Sequence, residues 1–234
     1  MPEVRLVHNY KVQPGTSGEY AGLWDSEYDV MNGQPGCEQW ELFLSTSTPE
    51  NVALLEHWES RGAFHSYWNI QKVRPVAGKQ HIDEDSKRIE IFWDQKYYKQ
   101  EDGVFVPRDG GATDEVEGSG SPVRLVINLT AKEGMTDAFA EAWAPHGEEV
   151  RSEPGCLQYE LFRSSRNPEN LALLELWENK EAFDTHWALE RTKPSLTKEF
   201  AAGPGERRVG MGGVEIYYDV KTYTYDGKNW VVQE

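Results

Sequence analysis

Six histidines, at positions 8, 57, 65, 81, 146 and 186, are the side chains best suited to move a proton near neutral pH, because imidazole titrates there. They are scattered, and no two share a helix face at metal-ligand spacing, so no metal site is expected. His186 falls with Phe183 and Trp187 on the inner face of a short helical stretch, where it could act as a general base. A core histidine holding one backbone hydrogen bond is the plain alternative. His146 lies three residues after Trp143 on an earlier helical stretch. It could join His186 in a polar cluster, or meet solvent beyond a kink at Pro145. Glu56 and Glu175 share strand faces with Trp58 and Trp177, and buried structural ion pairs with Arg5 and Arg124 are expected there. Cys37 and Cys156 each open a strand after a turn without a basic cluster nearby, which predicts unreactive, partly buried thiols. No nucleotide loop, CxxC pair, HExxH helix or nucleophile elbow occurs. The glycines at 203–205 and 210–213 read as a mobile loop before the last strand.

These residues sit on a unit that is written twice. Shifted by 119 positions, Val4-Arg5-Leu6-Val7 falls on Val123-Arg124-Leu125-Val126, and Pro35-Gly36-Cys37 on Pro154-Gly155-Cys156. Between 4–75 and 123–194 no gap is needed, and 29 of the 72 pairs are identical. The first copy is then shorter by six residues, so that Glu90 matches Glu215. A Gly/Ser-rich, acidic stretch at 109–122 separates the copies and reads as a flexible linker. Two domains are expected, at 1–108 and 123–234.

Each copy reads as strand, helix, strand, strand, helix, strand. Leu6, His8, Tyr10 and Val12 alternate with Arg5, Val7, Asn9 and Lys11, the period of a strand. Tyr20, Leu23, Trp24, Glu27 and Met31 recur at helical spacing over 16–32, as do Met135, Phe139, Trp143, His146 and Val150, although Pro145 should kink or shorten the latter helix. Ala63, Phe64, Tyr67 and Trp68 mark the second helix, matched by Ala182, Phe183, His186 and Trp187, so Tyr67 stands where the other copy has His186. Trailing segments at 103–106 and 230–232 could add one hairpin strand to each copy. A βαββαβ unit is the ferredoxin-like arrangement, with two helices on one face of a four-stranded sheet. The bare face needs a cover, and a second copy is the natural one. The fold expected is therefore α+β, two tandem ferredoxin-like domains packed as an intramolecular pseudo-dimeric α+β barrel.

The chain of 234 residues has 24 basic and 40 acidic side chains, a formal charge of −16. That excess disfavours nucleic acid and anionic membrane as partners, since both need a basic surface. No apolar run approaches a spanning helix, the first residues do not read as a signal peptide, and two cysteines make no disulfide scaffold, so a cytoplasmic setting is expected. Nine Trp and eleven Tyr are a heavy aromatic load for so polar a chain. Most should be core. Trp143, Tyr159, Trp177, Trp187 and Tyr217, with Trp24, Tyr67 and Trp68 in the first copy, could line a pocket for a flat polycyclic ligand.

The run Pro154-Gly155-Cys156-Leu157-Gln158-Tyr159-Glu160-Leu161-Phe162, then Asn167-Pro168-Glu169-Asn170, Leu174-Glu175-Leu176-Trp177-Glu178 and Ala182-Phe183-Asp184-Thr185-His186 resembles the antibiotic biosynthesis monooxygenase domain. The first copy repeats it with Pro35-Gly36-Cys37, Leu55-Glu56-His57-Trp58-Glu59 and Ala63-Phe64, with Tyr67 in place of the motif's histidine. The resemblance implies a cofactor-independent monooxygenase acting with dioxygen on an aromatic, quinol-type small molecule, in a pocket between helices and sheet. His186 would deprotonate the substrate, with His146 beside it. Asn128, and Asn9 in the first copy, lie on the first strand, where haem-degrading relatives carry a pocket asparagine; an amide there could orient a substrate oxygen or merely satisfy a sheet edge. Haem binding and degradation, and a non-catalytic binding module, are the alternatives the resemblance leaves open. Relatives pair as homodimers, so the tandem chain would be a built-in dimer that could pair further.

Overall fold

A computed structural model describes residues 3–76, 78–93, 97–101, 104–107, 120–202 and 213–233. The linker residues 109–119, Gly103 and the glycines at 203–205 and 210–212 lie outside them. The first copy forms β1 (Val4–Val12), α1 (Ser17–Asp25), α2 (Tyr28–Asn32), β2 (Cys37–Ser45), β3 (Asn51–Trp58), α3 (Arg61–Gln71) and β4 (Ile82–Phe92), followed by a hairpin of β5 (Tyr97–Glu101) and β6 (Val104–Pro107). The second forms β7 (Val123–Thr130), α4 (Thr136–Arg151), β8 (Cys156–Ser164), β9 (Asn170–Trp177), α5 (Lys180–Glu190), the single turn α6 (Thr197–Phe200) and β10 (Gly213–Tyr218), followed by a hairpin of β11 (Tyr223–Tyr225) and β12 (Trp230–Val232).

Both copies are α+β units of the ferredoxin-like kind. β1 lies antiparallel between β3 and β4, and β2 pairs with β3. β7 lies in the same way between β9 and β10, and β8 pairs with β9. The strand period sends Val4, Leu6, Tyr10 and Val12 into a core with Tyr20, Met31, Trp40, Trp58 and Phe64. Val123, Leu125, Phe139, Trp143, Tyr159, Trp177 and Phe183 form the equivalent core of the second unit. Alternate residues point to the opposite sheet face. There Arg5 donates to Gln39 Oε1 at 2.7 Å, and Arg124 to Gln158 Oε1 at 2.7 Å.

The helices depart from expectation in both copies. The single helix expected over 16–32 is broken into α1 and α2 by a tightened turn in which the Glu27 N–H donates to the Trp24 carbonyl at 2.9 Å, and Ser26 Oγ donates to the Leu23 carbonyl at 2.7 Å. Pro145, at the position equivalent to Ser26, neither ends nor shortens α4. Its ring is on the solvent face, and so is Glu141, whose carbonyl the proline leaves without an amide partner. Water can take that bond.

The trailing segments differ too. Each is a two-stranded hairpin, and each joins the unit built from the other copy. β5 pairs with β10, with Tyr98 beside Val214, and β5–β6 belong to the second compact unit. The hairpin β11–β12 and the turn at 164–167 belong to the first. Each hairpin brings an aromatic onto the outer edge of a helix: Trp230 meets Trp68 at 4.6 Å between ring centroids, and Phe105 meets Trp187 at 4.5 Å. Trp68 and Trp187 would otherwise expose large apolar surface, and the hairpins cover it.

Gly36 and Gly155 turn the chain into β2 and β8 at φ 75° and 79°. A Cβ at Gly36 would stand 2.6 Å from that of Ala63, and one at Gly155 2.5 Å from that of Ala182. Gly36→Ala or Gly155→Ala should each cost about 1–3 kcal/mol of stability, read as a lower midpoint in urea unfolding.

Candidate functional site

A cavity of about 310 Å³ opens between the sheet and the helices of the first unit, within the size range of small-molecule sites. β1 contributes His8 and Tyr10, α1 Tyr20 and Trp24, β2 Trp40, β3 Glu56, and α3 Tyr67 and Trp68. Tyr225 and Trp230 of the hairpin complete the wall. Most of the lining is apolar or aromatic, with Glu27, Gln71, Lys72, Arg74 and Lys87 among its polar members beside His8 and Glu56.

His8 Nε2 lies 3.0 Å from Glu56 Oε1, with both side chains almost buried. The register makes them neighbours: Leu6 pairs with Glu56 and His8 with Leu54, so His8 sits diagonally across one pleat from Glu56. The ring nitrogen is close enough for an ion pair but is not aligned for a hydrogen bond. Glu56 is itself held by Trp58, whose Nε1 donates to Oε2 at 2.9 Å. A carboxylate fixed from behind and a histidine in front of it are the parts of an oriented general base.

Tyr10 and Tyr20 share one hydrogen bond of 2.6 Å between their hydroxyls. Two hydroxyls carry two protons, so one remains to donate to a ligand oxygen. Burial pushes the Tyr10 phenol well above its ordinary range, helped by Tyr20 beside it, and burial also raises Tyr20. Tyr67, raised by burial and then by Glu56, accepts from Trp40 Nε1 at 3.2 Å. All three stay neutral donors near neutral pH. Trp24 stacks on Trp40 with centroids 5.1 Å apart, and Tyr67 on Trp58 at 4.4 Å.

In the second unit His186 and His146 are brought to opposite sides of Tyr159. His186 Nδ1 lies 2.8 Å from Glu153 and Nε2 4.0 Å from Glu175, and its ring stacks on Trp177 at 4.4 Å. His146 Nε2 is 3.2 Å from the Tyr159 hydroxyl and 3.4 Å from Glu190. Burial lowers the pKa of His146 and raises that of Glu175, the nearby His186 opposing the latter. Trp143 lies parallel to Tyr159 at 6.0 Å. His186 is 2% exposed, and its contacts describe a packed network of buried ionisable groups.

Asn128 is not part of that network. It lies on the sheet face away from the helices, and its amide donates to Glu215 Oε1 at 3.4 Å. Tyr217 is on that face as well, donating to Glu215 Oε2 at 2.6 Å, and Asn9 is on the corresponding face of β1. Arg5 and Arg124 also project there, toward Gln39 and Gln158. The carboxylates of Glu56 and Glu175 point to the helix side, so the expected pairing with Arg5 and Arg124 gives way to His8 with Trp58 and to His186 with Trp177. Burial pushes the Cys37 thiol up to about 12 and the Cys156 thiol up to about 11, as expected of unreactive thiols.

The sequence reading passed over His8. Its signal was present: a polar residue in the inward stripe Leu6, His8, Tyr10, where the second copy has Leu125, Ile127, Leu129. The two copies also differ at Tyr20 against Phe139. His81 and Phe200 accept equivalent backbone bonds from Gln13 and Lys132, and Phe200 stacks on Phe139 at 5.6 Å. Of the residues lining the first cavity, His8 and Tyr20 thus give way to Ile127 and Phe139 in the second copy. Among the described residues no group of three or more His, Cys, Asp or Glu could hold a metal, and no helix is long and apolar enough to cross a membrane.

A family model described as antibiotic biosynthesis monooxygenase matches residues 4–71 and 122–193. An uncharacterized protein of Synechocystis is 25% identical over 84 residues, which are 36% of this chain and 57% of the relative. The chain therefore spans little more than half the length of that curated relative. A solved structure from Lactobacillus acidophilus, proposed to be a monooxygenase, aligns over 100% of both chains at 14% identity with a TM-score of 0.35. A protein from Shewanella oneidensis aligns over 44% of this chain and 94% of its own at 26% identity, with a TM-score of 0.36.

Proposed function

Since the chain belongs to the antibiotic biosynthesis monooxygenase family, with one match in each copy, we propose that its first unit is a cofactor-independent monooxygenase for a flat, quinol-type aromatic molecule. The observation that carries this reading is the His8–Glu56 pair in the wall of an aromatic-lined cavity of about 310 Å³.

The chemistry follows from those groups. His8 takes the proton of a phenol or of its keto tautomer, and the Glu56 carboxylate stabilises the imidazolium that forms. The free proton of the Tyr10–Tyr20 pair hydrogen-bonds the substrate oxygen, where negative charge gathers. Trp24 and Trp40 bury the ring and keep water from it. The electron-rich anion then reduces dioxygen. One carbon exchanges two hydrogens for one oxygen atom, and the second oxygen leaves as water. The substrate supplies all four electrons that dioxygen takes up, so no external reductant enters.

Dialysed protein in chelator-treated buffer should consume dioxygen and an anthrone- or naphthol-type substrate in equal amounts. Turnover that starts only on adding haem, flavin or a metal would overturn the reading.

A further inference from the structure

Beside the main cavity, on the outer side of α3, lies an open cleft of about 280 Å³ that the chemistry above does not use. Three parts of the first unit build it: Arg61 and His65 on α3, Trp93 after β4, and Lys228 and Trp230 of the C-terminal hairpin. Its charge is the reverse of the molecule's. The chain carries 40 acidic residues, yet among the described residues none lines this cleft, which presents an arginine, a lysine and a histidine.

Those groups are held in place. The Arg61 guanidinium lies over Trp93 at 5.3 Å, with Nε donating to the Trp93 carbonyl at 3.4 Å. The His65 ring is stacked on the same indole at 5.8 Å. Lys228 rides on a turn in which the backbone N–H groups of Lys228 and Asn229 both donate to Asp226 Oδ1 at 2.7 Å. Among the described residues neither Arg61 nor Lys228 has a carboxylate partner for its side chain. Fixed cations beside indole walls suit a ligand with a flat ring and an oxyanion: the ring packs on aromatic surface and the anion takes charge-assisted hydrogen bonds.

We propose that this cleft binds a small aromatic carboxylate, at a site separate from the main cavity. The inference stands independently of the oxygenase reading. Trp68, Tyr225 and Trp230 line both spaces, so the wall between them is one aromatic layer thick, and the test has to tell the two apart.

A naphthoate titrated into the full chain, followed by calorimetry and by the side-chain N–H resonances of Arg61 and Trp93, should bind and shift both signals. The neutral naphthamide should bind at least about tenfold more weakly, the loss expected for one charge-assisted contact. Arg61→Gln and Lys228→Gln should each weaken naphthoate by about tenfold and leave naphthamide unchanged, whereas His8→Gln should alter neither. Equal affinity for acid and amide, indifference to both cleft substitutions, or loss of binding in His8→Gln would overturn the proposal. The last result would place the anion in the main cavity.

Discussion

Exchange of His8 for glutamine should lower phenol-dependent oxygen uptake by about 10²–10⁴-fold, the range lost when a positioned base is removed. Glutamine is of similar length and its amide can donate to Glu56, so the melting temperature should change little. Glu56→Gln should lower uptake less, because it leaves the imidazole in place and removes only the carboxylate 3.0 Å from Nε2. Tyr10 and Tyr20 are poor substitutes as bases, since burial holds both phenols above their ordinary range and hence neutral. A His8→Gln protein with full activity would move the base out of this cavity altogether.

The duplication, the order of elements and the inward strand residues were legible because each rests on a local signal present in both copies. The period of two along Leu6, His8, Tyr10 and Val12 needs no tertiary knowledge, and the same period recurs at Leu125, Ile127 and Leu129. Placement of the cavity was not legible in that way. It depends on how volumes add across elements far apart in sequence: His8 on the first strand, Tyr20 on a helix, and Trp230 arriving on a hairpin 162 positions after Trp68. Matching the family's histidine favoured the second copy, since His186 alone occupies that place. Glu153, Glu175, Tyr159 and Trp177 surround His186 so closely that it is 2% exposed, whereas the first copy meets its equivalent glutamate with a histidine from the first strand. A shared carboxylate, held in each unit by a tryptophan two residues on, is approached from the sheet in one copy and from the helix in the other.

That contrast makes His186→Ala the sharpest test of which copy reacts. Removing His186 takes away the ring stacked on Trp177 and the partner 2.8 Å from Glu153 inside a packed region, and the cavity and lost contact cost about 2–5 kcal/mol. The variant should therefore melt lower, while oxygen uptake per folded molecule, which depends on His8, stays at the wild-type level. The loss should depend on pH with a definite sign. Glu175 already has its folded pKa raised above 4.5 by burial, with His186 pulling it back down, so its contribution to stability is present below about pH 4.5 and is lost as the pH rises through the folded value. Without His186 that value climbs further, and the deficit of the variant should be largest at pH 8 and shrink toward pH 5. Glu175→Gln in the same background should recover part of the stability at pH 8, because an amide accepts the Trp177 bond without burying a charge. Urea unfolding of the wild type and the two variants at both pH values reads this directly. A His186→Ala protein as stable as the wild type but unable to consume dioxygen would give the reaction back to the second unit, and would leave the His8–Glu56 pair a structural feature of the first.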